Sequence, residues 1–170
     1  MIVDTLKSNR SALSEDQKDF LKRIVPWGKF IQFQTKIKGE IFQRLYCPTG
    51  LLSSVFIADC IIQSNWQTHP VSDMAKGNNL GLLEINPGWV GKKIKFQNKR
   101  YKSFDSFESY SIHLSDLIGF SPKFTTLLSS MNPKVQAQEI GKLREPLISY
   151  NDRILSIIDL YELSEFDIWP

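Results

Sequence analysis

Few side chains in this 170-residue chain stand where they could move a proton. The most informative is Gln63, in Ile61-Ile62-Gln63-Ser64-Asn65-Trp66, at the end of an almost wholly apolar run. A carboxylic acid at such a place is kept protonated near neutral pH by its apolar surroundings and can give that proton to a leaving oxygen. A primary amide donates a hydrogen bond through its NH₂ but transfers no proton. Glu84, in Gly81-Leu82-Leu83-Glu84-Ile85-Asn86-Pro87, offers a carboxylate on the following segment. His69 and His113 show no metal-ligand spacing, and Cys47 and Cys60 form neither a metal motif nor a disulfide framework. No metal site and no cofactor are expected.

The elements that must position these groups follow from periodicity and punctuation. Ser14-Glu15-Asp16-Gln17 reads as a capping box opening a helix with Phe20, Leu21, Ile24 and Val25 on one side, which Pro26 should break or kink. Phe30, Phe33, Ile37, Ile41 and Leu45 then recur as a core-facing stripe. Thr49 is a plausible N-cap for the run 51–62, which is apolar on nearly every side and should be central and buried. Asp59 inside it reads either as the one exposed stripe, the favoured expectation, or as a buried acid that must be paired. Ile94 and Phe96 alternate before Gln97-Asn98, which predicts a short basic hairpin over 92–101. Asp105-Ser106-Phe107-Glu108, Ser121-Pro122 and Asn132-Pro133 open further helices, and Ile154, Leu155, Ile157, Ile158 and Tyr161 mark a closing one. The sum is a mainly α domain with one small β element. His113 should lie on a helix surface, and Cys60 reads as a small buried hydrophobe.

Hydrophobic content of 42% and charged content of 23% are ordinary for a globular protein, and a net charge of +3 does not by itself imply nucleic acid. The charge is unevenly spread. Lys92, Lys93, Lys95, Lys99, Arg100 and Lys102 fall together without an acid, which reads as a solvated hairpin face or as an attraction to an anionic polymer. No run approaches the roughly 20 apolar residues of a membrane span. Residues 1–10 have no apolar stretch typical of a signal peptide, so the expectation is a cytoplasmic protein or a phage particle, or a cell-wall location if a leader has been removed.

Three segments in order carry a family resemblance: Ser54-Val55-Phe56-Ile57-Ala58-Asp59-Cys60-Ile61-Ile62-Gln63-Ser64-Asn65-Trp66; Asn78-Asn79-Leu80-Gly81-Leu82-Leu83; and Tyr150 with 154–163, ending Glu165-Phe166-Asp167. Together with Phe104-Asp105-Ser106-Phe107-Glu108-Ser109, they resemble the glucosaminidase domain of glycoside hydrolase family 73. That resemblance implies a lysozyme-like fold and action on peptidoglycan. It implies a catalytic glutamate where Gln63 stands, a glycine where Gln67 stands and a second acid in a β-hairpin lobe. The hairpin here has no acid. Segment 144–148 also departs from the family's pattern before the last helix. Residues 81–87 are similar to a strand of lytic transglycosylases in which glutamine occupies the place of Glu84, as if acid and amide had exchanged walls.

On this resemblance Gln63 occupies the acid's position without its competence, and Glu84 is the candidate acid. Ser64, Trp66, Asn79, Trp89 and Tyr150 are candidate substrate contacts, the two tryptophans as platforms for sugar faces. The expected organisation is a single domain over 1–170, with an N-terminal helical extension at 1–50 and a glucosaminidase-like core at 51–167. Three functions are in play. The first is a catalytically degenerate domain that binds peptidoglycan or a related glycan in a wall-associated or phage assembly. The second is an active glucosaminidase or muramidase using Glu84. The third is a protein-binding module that reuses the fold. Expected partners are a glycan and a protein of such an assembly, with neither nucleic acid nor a membrane span.

Overall fold

A computed structural model describes residues 12–67, 77–81, 83–96, 98–144 and 149–170, and its elements are built around one helix. His69, Leu82, Gln97 and the segment 145–148 lie outside the described residues. The central helix, Ser53–Ser64, comes second in the chain and is designated α2; it is buried without interruption from Ser53 to Ile61. A sequence with no wide polar stripe has no face to give to water, so it sits inside the others.

The first helix, α1 (Glu15–Phe42), opens at the expected capping box: Ser14 Oγ accepts from Gln17 N at 3.2 Å, and Gln17 Oε1 accepts from Ser14 N at 3.0 Å. Two expectations are revised on it. Pro26 does not end the helix, which spans 28 residues with the proline inside it. Its ring lies on the exposed side, where water can replace the hydrogen bond that proline cannot donate. The stripe Phe30, Phe33, Ile37, Ile41 and Leu45 faces the core only in part: Phe30 and Leu45 pack against it, while Phe33 is 55% and Ile41 63% exposed. The buried face instead carries Ile24, Gly28, Ile31, Gln32, Thr35 and Gly39. Its two glycines stand where a neighbouring side chain lies close. A Cβ on Gly28 would stand 3.2 Å from the Ile57 side chain, and one on Gly39 would stand 3.2 Å from Cys47 Sγ.

No side chain near the start of α2 caps it. Thr49 does not serve as its N-cap; the Thr49 hydroxyl donates to the Gly50 carbonyl at 3.1 Å. The first amides are taken up from three distant places. Gln136 Oε1 accepts from Leu52 N at 2.8 Å, Gln32 Oε1 from Ser53 N at 3.2 Å, and Asp167 Oδ1 from Ser54 N at 2.7 Å. Asp167 Oδ2 also accepts from Ser54 Oγ at 2.8 Å. A carboxylate at this end meets both the unsatisfied amides and the positive end of the helix dipole.

The hairpin forms where expected, as β1 (Lys93–Phe96) and β2 (Lys99–Lys102), antiparallel with Ile94 opposite Tyr101. Residues 83–85 lie along the other edge of β2: Ile85 N donates to Arg100 O at 3.0 Å and Lys102 N to Leu83 O at 2.9 Å. This pairing sets Glu84 opposite Tyr101.

The helical remainder comprises α3 (Phe107–Gly119), α4 (Thr125–Leu128), α5 (Pro133–Arg144) and α6 (Tyr150–Leu160). Asn132 Oδ1 accepts from Lys134 N, a start expected from the sequence, whereas the box expected at 105–108 is shifted by one residue: Ser106, not Asp105, is the cap, its Oγ accepting from Ser109 N. Ser121 makes no cap bond, and Pro122–Phe124 is only a 3₁₀ turn. The architecture is that of a mainly α, lysozyme-like domain with one small hairpin. Cys47 and Cys60 are buried and unbridged, and burial pushes both thiols above their ordinary value. Among the described residues no helix is long and apolar enough to cross a membrane.

Candidate functional site

The C-terminal end of α2, the hairpin, the end of α5 and the start of α6 enclose a cleft of about 540 Å³. Gln63 and Ile62 come from α2; Glu84, Lys99 and Tyr101 from the sheet; Arg144 from the last turn of α5; Tyr150 and Arg153 from the first turn of α6. Gln63 and Glu84 therefore share one cleft. Glu84 is the sole carboxylate among the described residues of its lining.

The floor of the cleft is a chain of polar contacts. Gln63 Nε2 donates to Tyr150 Oη at 2.7 Å, and Tyr150 Oη donates to Asp59 Oδ1 at 2.6 Å. Arg144 Nε donates to Asp59 Oδ1 at 3.0 Å, while its two terminal nitrogens reach Asp59 Oδ2 and the Gly81 carbonyl. Tyr150 has one proton, committed to Asp59, so toward residue 63 its oxygen can only accept. That requirement fixes the Gln63 amide with its NH₂ turned to Tyr150. Burial, and then the Asp59 carboxylate, push the Tyr150 hydroxyl well above its ordinary value, so it keeps the proton it donates. Burial works against the Arg144 cation, but Asp59 more than offsets it and holds the guanidinium above its ordinary value.

Asp59 overturns the expectation of an exposed stripe. It is 5% exposed and answers the demand that a buried acid be paired. Its partner lies 85 residues away, beyond the reach of local pattern. Arg144 in turn needs Gly81 to be glycine, since a Cβ there would stand 2.5 Å from Tyr110 Oη and 2.8 Å from Arg144 Nη2.

Glu84 has a different environment. It is half exposed, and its Oε1 accepts from Lys99 Nζ at 2.7 Å. A general acid must present its carboxyl to the leaving oxygen, and here the Glu84 carboxylate is engaged by the Lys99 ammonium.

Four expected contacts lie elsewhere. Ser64 Oγ donates to the Cys60 carbonyl at 2.7 Å and accepts from Gln67 N, which finishes α2. Trp66 packs edge-on against Phe20 and Tyr161. Asn79 is buried; its Nδ2 donates to the carbonyls of Leu83 and Lys102 and its Oδ1 accepts from Leu83 N, which ties residues 79–83 to the hairpin. Trp89 packs against Phe104 and His113 and donates through Nε1 to the Lys92 carbonyl. These side chains position the cleft walls and do not line them. Gln67, standing where the resemblance has glycine, has φ +62°. A left-handed backbone is free for glycine and costs another residue about 1 kcal/mol.

His113, expected on a helix surface, is half-buried. Lys102 Nζ lies 2.9 Å from its Nε2 and 4.9 Å from the centre of the Trp89 ring. Burial and then the Lys102 charge lower the His113 pKa, so Nε2 is free to accept. No motif marks Lys99, Tyr101 or Arg153 as cleft residues, because cross-strand register and helix phase alone bring them there. Among the described residues no group of three or more His, Cys, Asp or Glu could hold a metal ion.

No sequence-family model matches the chain, and no curated protein sequence matches it. Solved structures do. A peptidoglycan hydrolase from Sphingomonas sp. A1 superposes with TM-score 0.68 at 16% identity, over 87% of this chain and 91% of that one. The catalytic domain of the autolysin Auto from Listeria monocytogenes gives 0.64 at 15%, over 98% of each chain. The glycoside hydrolase domain of FlgJ from Salmonella typhimurium gives 0.62 at 16%, over 88% of this chain and 91% of that one. At these identities it is the fold that is shared: this chain is built like these three hydrolase and autolysin domains.

Proposed function

We propose that this is a glycan-binding domain of the family 73 glucosaminidase type, with peptidoglycan as its ligand and without effective glycosidic hydrolysis. The observation that carries the reading is the Gln63–Tyr150 contact: the cleft presents an amide donor, held by Tyr150, at the place the resemblance gives to the acid. Glycoside cleavage needs a protonated carboxyl at the leaving oxygen. Its loss removes roughly 10²- to 10⁴-fold of rate. The cleft is open, and its hydroxyl, amide and cationic groups suit a polar, hydroxylated ligand. The neighbouring folds named above, described as a peptidoglycan hydrolase, the catalytic domain of an autolysin and a glycoside hydrolase domain, support the substrate class.

One observation favours a second reading, an active hydrolase. Glu84 faces the same cleft as Gln63. Zymography on purified cell walls, with calorimetric titration of muropeptides, decides between the two. The degenerate reading expects muropeptide binding and no lysis by the native chain. Lysis abolished by Glu84→Gln would establish the second reading and overturn the first. Absence of binding to any muropeptide or chitooligosaccharide would overturn both and leave the fold serving a protein partner.

A further inference from the structure

The basic hairpin is not absorbed by the cleft. Residues 85–104 contain no acid and six cations. Three of these are answered from elsewhere in the fold. Lys92 Nζ reaches Asp105 at 2.7 Å, Lys99 Nζ reaches Glu84 at 2.7 Å, and Lys102 turns inward to His113 and the Trp89 ring. Lys93, Lys95 and Arg100 remain, all exposed, with no side-chain partner among the described residues.

The register puts these three on one face. In an antiparallel pair, directly opposed residues share a face and neighbours alternate. Ile94 with Tyr101 and Phe96 with Lys99 lie on the side that borders the cleft. Lys93 with Lys102 and Lys95 with Arg100 lie on the other. Like charges directly opposite one another destabilise a sheet. Lys95 and Arg100 are such a pair at the outer end of the hairpin, where no packing demands either.

We propose that Lys93, Lys95 and Arg100 form a second binding face, separate from the cleft, for a phosphodiester polymer that carries no bases, of the polyol-phosphate kind. Charge complementarity names a polyanion. The lack of a free stacking ring among the described residues of that face narrows it. Single-stranded nucleic acid is held by aromatic platforms as well as by cations. The aromatic residues of both strands, Phe96 and Tyr101, are on the opposite face, and the nearby Trp89 ring is taken up by Lys102, Phe104 and His113. A base-less chain of regularly spaced phosphates asks only for the cations. Because the two faces point apart, the polymer and a cleft-bound glycan can be held together.

The test uses the full chain, a fluorescently labelled poly(glycerol phosphate) freed of lipid, and oligo(dT) of similar charge. Three released phosphate contacts give a slope of log Kobs against log salt of about −2. The triple variant K93Q/K95Q/R100Q is expected to bind at least tenfold more weakly at low salt and to lose that slope. Its circular dichroism should be unchanged and its melting temperature equal or higher, since a like-charge pair has been removed. Muropeptide titration of the same variant should match the native chain. Unchanged polymer affinity in the triple variant overturns the proposal. So does oligo(dT) binding as tightly as the polymer with the same loss in the variant, which would assign the face to nucleic acid.

Discussion

Replacing Arg144 by methionine should be among the most damaging single changes in the molecule. The substitution keeps length and most of the volume but removes the charge. It leaves Asp59, only 7% exposed in its side chain, with Tyr150 as its one remaining side-chain donor among the described residues. Breaking a buried ion pair from one side costs about 3–5 kcal/mol, because the abandoned charge keeps its desolvation penalty. For a domain of this size each kcal/mol is about 2–4 °C, so the melting temperature should fall by about 6 to 20 °C. The Gly81 carbonyl also loses its donor, so residues 77–85 should become easier to open. Urea denaturation gives the free energy, and amide hydrogen exchange at Leu83 and Ile85 gives the local opening. The double variant Asp59→Asn/Arg144→Met should recover a large part of the loss, since neither charge is then left alone. A cost below about 1 kcal/mol for Arg144→Met, or a double variant whose cost is the sum of the two singles, would refute the reasoning.

Gln63→Glu should place a carboxyl against a Tyr150 oxygen that can only accept, so the introduced carboxyl should hold its proton above the ordinary glutamate range; carbon-13 NMR titration checks this, and an ordinary titration would show that the network imposes nothing. His113 should make stability fall in acid: its folded pKa lies below the ordinary 6.5, so as pH drops through 6.5 the unfolded chain takes up the proton first and is favoured. Melting temperatures measured from pH 8 to 5 should show that decline, and His113→Phe should flatten it. Asp167→Ala should cost about 1–2 kcal/mol by equilibrium denaturation, because it uncaps α2 at both the Ser54 amide and hydroxyl.

What could be read in advance divides by distance along the chain. The apolar run 51–62 announced a central helix because its composition alone excludes a surface. The capping box at Ser14 and the alternation around Ile94 and Phe96 are complete within a few residues, and both formed as expected. α1 misled because bulk was mistaken for burial. Its large apolar residues Phe33 and Ile41 lie outward, and its glycines lie inward where the side chains of Ile57, Cys47 and Leu128 come near. At the site, Gln63 and Glu84 could be named from local segments and do share the cleft. Asp59, Arg144 and Tyr150 could not be joined beforehand, since an ion pair across 85 residues leaves no periodic trace. Ser64, Asn79 and Trp89 carry polar groups that suit a ligand equally well, yet backbone groups of the fold itself claim them.

The three borrowed caps on α2 also bear on how the chain folds. The most buried helix of the core cannot satisfy its N-terminal amides from its own neighbourhood, because the acceptors come from residues 32, 136 and 167. Its first turn can therefore be complete only when nearly the whole sequence is present. Contacts of such sequence separation slow folding and make it more nearly all-or-none. During synthesis, the most apolar segment of the protein would have to wait, with its amides open, for an aspartate 113 residues downstream of Ser54.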